Sequence, residues 1–82
     1  MNEEPYNPRL KKLLLEVVDN QIKANDPPET KNTLKRLMGN GHTRQQARQM
    51  IAAVVVEFLY DIMKNGEHFD NEKYCKRLKE LK

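Results

Sequence analysis

Three side chains in this 82-residue chain offer nitrogen or sulfur to a transition metal: His42, His68 and Cys75. A zinc site needs about four ligands, usually in closely spaced pairs. The three residues here are scattered, and the chain has no second cysteine. No metal or other cofactor is expected. Glu57 and Asp61 stand four apart, so paired carboxylates are geometrically available for acid–base work. Their position is on a polar helix stripe, where solvation is the ordinary fate of a carboxylate. The chain contains no serine, Cys75 has no activating histidine beside it, and no glycine-rich loop follows a strand. The inventory points away from an enzyme.

A denser cluster runs from His42 to Gln49 as His-Thr-Arg-Gln-Gln-Ala-Arg-Gln. Arginine and glutamine at the start of a second helix are what base-edge readout uses. The turn before it, Gly39-Asn40-Gly41, completes an outline of a helix-turn-helix. Against that reading, the helix continues for four more turns as the most apolar element in the chain, unlike a recognition helix. At about 100° per residue, Arg44 and Arg48 fall in line with Ile51, Val55, Phe58 and Ile62. An unpaired guanidinium buried there would be costly. Either the stems cover apolar surface while the heads reach water, or the two arginines, with His42, contact a carboxylate or phosphate at the bundle end. That anion would come from a ligand or a partner chain, and arginine's planar fork suits it.

Four helices must position these groups. Residues 1–6 read as a frayed leader. Asn7 can cap a first helix over 8–25, with Pro8 at the position where a missing N–H costs nothing. Leu10, Leu13, Leu14, Val17, Val18 and Ile22 recur at helical spacing, with Lys12, Glu16, Asp19 and Lys23 opposite. Asp26-Pro27-Pro28 ends this helix, because a residue before proline avoids the helical region. Asp26 and Glu29 then form the outline of a capping box for a second helix over 27–38, whose narrow apolar stripe is Leu34, Leu37 and Met38. Gly39-Asn40-Gly41 closes it. Thr43 and Gln46 form a second capping box. The third helix, 44–65, has Gly66 as its stop and one polar stripe: Gln46, Gln49, Ala53, Glu57, Asp61 and Lys64. Val54-Val55-Val56 favours strand locally, but an unbroken run of more than twenty residues with one coherent stripe is helical. A helix this apolar around its circumference is the central, largely buried element. Asp70 caps a fourth helix over 71–81, with Tyr74, Leu78 and Leu81 on one face among lysines and arginine.

Length and composition bound the rest. Residues 1–82 make one small all-α domain, a four-helix bundle of antiparallel type. A chain this short has a small core and must share or tightly pack its apolar faces. The net charge of +3 is spread over both halves, a weak pointer to nucleic acid. One cysteine permits no internal disulfide, which fits a reducing compartment. The acidic start Met-Asn-Glu-Glu lacks the apolar core of a signal peptide, and the longest apolar run, 50–56, is far too short to span a membrane. The expected setting is cytoplasmic, with no membrane partner.

Leu37-Met38, the glycine turn, and Ala47 with Met50-Ile51 resemble ubiquitin-associated domains. The aromatic that follows the glycine in those domains is absent, and the third helix is too long for them. A closer resemblance covers about residues 26–82. It rests on Pro27-Pro28-Glu29-Thr30, Leu34-x-x-Leu37-Met38, Gly41-His42-Thr43, Ala47, Ile51, the run from Tyr60 to Glu67, Phe69-Asp70 and Tyr74. These residues resemble a family of small bacterial all-helical proteins of unknown function. The resemblance implies four helices and a prokaryotic cytoplasmic setting, and it assigns no site.

The functional expectation is a non-enzymatic protein-interaction or oligomerisation module whose partner is another chain, including a second copy of itself. The alternative is a nucleic-acid-associated protein using the helix 2–helix 3 turn and the basic fourth helix. The two differ in salt response, steep for nucleic acid and shallow for an apolar interface.

Overall fold

The computed structural model describes residues 8–66 and 68–82. The expected leader, 1–6, and the expected cap, Asn7, lie outside the described residues. Four helices follow in chain order: α1 Pro8–Ala24, α2 Pro28–Gly39, α3 Arg44–Asn65 and α4 Asn71–Glu80. No strand occurs among the described residues. The fold is the all-α four-helix bundle expected, with extents of 33 × 32 × 22 Å. At 1.5 Å per residue, α3 is about 33 Å long and spans the bundle, whereas α2 and α4 reach only about 18 and 15 Å. α3 packs against the other three helices, and α1 and α4 are the only two described helices whose backbones do not meet.

Local chemistry sets most of the boundaries. Thr43 is the N-cap of α3: its hydroxyl accepts from the Gln46 N–H at 3.1 Å, and the Gln46 side chain accepts from the Thr43 N–H at 2.9 Å. Asp70 caps α4, accepting from the N–H groups of Glu72 and Lys73. Gly66 ends α3 in the left-handed region, φ 67°, which glycine enters without a Cβ penalty. Asn25, φ 54°, makes the same left-handed exit from α1.

The Asp26 capping box does not form. Pro27 is the N-cap of α2, with no side-chain cap bond. Pro28 takes the first helical position and holds Pro27 extended (φ −76°, ψ 151°). Asp26 therefore sits one residue too early to reach the free N–H groups of α2. Glu29 instead accepts from the Thr33 hydroxyl.

The core comprises Leu14 and Val18 of α1, Leu34 and Leu37 of α2, Ala47, Ile51, Ala52, Val54 and Val55 of α3, and Tyr74 and Leu78 of α4. Two expectations about α2 change. Met38 is exposed, and the buried face is completed instead by Thr30 and Thr33. Threonine is tolerated there because its hydroxyl finds an acceptor: Thr30 donates to Gln21 Oε1 at 2.9 Å. Tyr74 donates to the same oxygen at 2.8 Å, so one α1 amide joins α2 and α4. Phe58, Phe69 and Tyr74 stack around that point with centroids 5.2–5.8 Å apart.

Candidate interaction surface

The residues expected to bind an anion have different surroundings. Arg48 is held by Asp19 of α1 through two parallel bonds, Nε to Oδ1 at 2.8 Å and Nη2 to Oδ2 at 2.7 Å. Its remaining nitrogen, Nη1, donates to Gln45 at 2.6 Å. The carboxylate that the Arg48 position demands is thus supplied by the chain itself. Asp19, expected on the solvated side of α1, is half-buried at the seam with α3. Arg44 is exposed and makes no ion pair among the described residues. His42 Nε2 lies 3.1 Å from the carbonyl oxygen of Lys82.

That last contact belongs to a clasp that sequence reasoning missed. Arg36 donates from Nη1 to the Leu81 carbonyl and from Nη2 to the Leu78 carbonyl at 2.9 Å. The Leu78 carbonyl also accepts from the Leu81 N–H at 3.1 Å, and the last carbonyls of a helix carry partial negative charge, so a guanidinium is an apt cap. The sequence showed Arg36 only as a basic residue in the last turn of α2. Its target lies more than forty residues away, and no local signal names it.

The groups considered for catalysis or metal binding are dispersed. Glu57 accepts from Arg77 at 3.0 Å, and Arg77 also reaches Glu80 at 3.0 Å. Asp61 is exposed. Burial pushes the Cys75 thiol above its ordinary pKa, and the Glu29 charge adds to this. A nucleophilic cysteine needs the opposite shift. Among the described residues, no three histidine, cysteine or acidic side chains stand where they could hold a metal ion. No helix among the described residues is long and apolar enough to cross a membrane.

The bundle also exposes a row of large apolar side chains. α3 is buried unevenly: its fully buried residues end at Val55. Beyond that point Leu59, Tyr60 and Met63 are exposed, Tyr60 by 63% and Met63 by 85%. α2 has 12 residues and α4 10, against 22 for α3, and the start of α4 meets the last turns of α3 on another face, where Asp70 and Lys73 stand beside Asp61 and Ile62. α1 runs antiparallel to α3, with Asp19 at Arg48 and Leu10 near Tyr60 and Met63. Together they bound an open groove of about 660 Å³. Leu10, Val56, Leu59, Tyr60 and Met63 supply its apolar lining, and Glu57 and Asp61 its acidic rim. Leu13 and Val17 continue the exposed edge of α1 at helical spacing. Lys64 Nζ lies over the Tyr60 ring, 5.9 Å from its centroid. A surface of this kind buries apolar area against another macromolecule, with charges at its rim fixing orientation.

Comparison with known protein families, with curated proteins and with solved structures finds no match to this chain.

Proposed function

We propose that the chain is a non-enzymatic protein-interaction module that docks another protein on the groove between the end of α3 and the start of α1. The observation carrying this reading is the exposure of Leu59, Tyr60 and Met63 on the helix that otherwise forms the core. A single exposed leucine is ordinary, but a row of large apolar side chains along a groove is not. Burying one such side chain yields about 1.5–3 kcal/mol, so three or four suffice for a specific contact. The single reduced cysteine supports a cytoplasmic setting for this role.

The test is a photo-crosslinking residue placed at position 63 in cells, with position 23 of α1 as control. Both positions are exposed. Protein adducts are expected from position 63 and not from position 23. No protein adduct at 63, or equal yields at both, overturns the reading. A companion check is Met63→Glu, which should leave the unfolding free energy within about 0.5 kcal/mol of the parent. A loss of more than 1 kcal/mol would mean that Met63 serves the fold rather than a partner.

A further inference from the structure

Resting on that reading of the groove, we propose that its occupant is a second copy of this chain, docked with the two α3 helices antiparallel about a two-fold axis at Tyr60. The apolar stripe there is one helix wide, Val56, Tyr60 and Met63 at four- and three-residue spacing, the period at which helices pair. Its charges are arranged end against end. Glu57 and Asp61 lie on the rim, and Lys64 stands at the far end, over the Tyr60 ring.

A two-fold axis at residue 60 reverses one helix against the other. Residue i then lies opposite residue 120 − i, so Val56 comes level with Lys64 of the second copy and Glu57 with its Met63. Glu57 and Lys64 of the second copy, offset by one residue or about 1.5 Å along the axis, meet on the same side of the seam. Two-fold symmetry makes each contact twice, so a single acid–base pair in the sequence becomes two across the interface. A parallel pairing would instead leave Glu57 and Lys64 of the second copy seven residues, about 10 Å, apart along the axis and unpaired. Glu57 is free to take part while bonded to Arg77. Its side chain is 52% exposed, and a carboxylate has room for about four donors. The face therefore carries both halves of its own complement, apolar stripe and opposed charge, at the register that an isologous contact needs.

The experiment is sedimentation velocity on the full chain at low salt, across a concentration series, with Glu57→Lys, Lys64→Glu and their equimolar mixture. The parent chain is expected to sediment as a dimer. Each variant alone places like charges at both contacts and should raise Kd about tenfold. The mixture should recover the parent affinity, because each introduced charge then meets its opposite in the other chain. A parent that stays monomeric to millimolar concentration, or a mixture no tighter than either variant, overturns the proposal. Circular dichroism checks that the variants remain folded. Should Glu57→Lys unfold through loss of the Arg77 contact, Tyr60→Cys in a Cys75→Ala background decides instead. Two cysteines beside the axis should oxidise to a covalent dimer, and failure to do so counts against the two-fold. If position 63 crosslinks to a different protein while the parent is monomeric, the second copy is wrong and the interaction surface stands. If neither occurs, both fall.

Discussion

Replacing Tyr74 by phenylalanine removes one hydroxyl from a fully buried aromatic side chain. The ring keeps its edge contact with Phe58 at 5.6 Å and its tilted contact with Phe69 at 5.2 Å, so no cavity of consequence opens. The loss is the bond to Gln21 Oε1. That oxygen keeps the Thr30 hydroxyl as a donor, so no acceptor is left bare, and the cost at neutral pH should be about 1 kcal/mol. A domain of this size has on the order of 4–12 kcal/mol of stability, so the change is measurable by urea unfolding followed by far-ultraviolet circular dichroism. The pH dependence gives the sharper test. Burial raises the Tyr74 pKa above the ordinary 10.0, more than the neighbouring Thr30 and Gln21 side chains lower it. Above that pH the unfolded chain releases the phenolic proton while the folded chain retains it. The unfolded state then binds fewer protons, and stability falls as pH rises. Phenylalanine cannot ionise, so the parent's advantage should be constant below about pH 9. It should then shrink as pH climbs past 10.0 toward the folded-state pKa. An advantage that stays constant through pH 11, or is absent at pH 7, would refute the assignment of Tyr74 as a buried neutral donor.

Three further outcomes follow from the geometry. A double-mutant cycle on Arg48→Ala and Asp19→Ala should return a coupling of about 1 kcal/mol that shrinks in high salt, because the pair is bidentate but part-exposed; zero coupling at low salt would mean the pair is not held in solution. Arg36→Gln should cost about 1–2 kcal/mol and speed amide exchange in the last turn of α4, while exchange in α1 is unchanged; equal effects on both would show that Arg36 supports the whole bundle rather than that helix end. Thr43→Ala should cost about 1 kcal/mol and Asp26→Ala less than 0.5, measured by thermal unfolding, since only the first residue caps a helix. Equal losses would restore Asp26 as a cap.

Features carried by short stretches of chain were legible from the sequence alone. All four helices, the Thr43–Gln46 box, the Asp70 cap and the Gly66 stop depend on residues within four positions of one another, and each occurs where its local chemistry puts it. Even the Val54–Val56 run, strand-favouring by itself, follows the longer helical period around it. The Asp26 box failed for a local reason too, because two consecutive prolines moved the cap position by one residue.

The rest needed the third dimension. An arginine in line with a buried stripe signalled that Arg48 required a carboxylate, but nothing along the chain says that Asp19 supplies it across the α1–α3 seam. Arg44, one turn earlier on the same face, is exposed because it lies at the end of the bundle. Arg36 finds its carbonyls, and Gln21 its two hydroxyls, through packing between helices distant in sequence. Periodicity could mark α3 as apolar nearly all round, yet not which part the neighbours would cover. Burial depends on which face each neighbour covers, and the start of α4 lies beside Asp61 and Ile62 rather than over the groove lined by Leu59, Tyr60 and Met63. The sequence by itself determined the elements and the excess of apolar surface. Only the tertiary structure decided that the excess emerges at Leu59, Tyr60 and Met63, on a face of α3 that the start of α1 borders and the start of α4 leaves open.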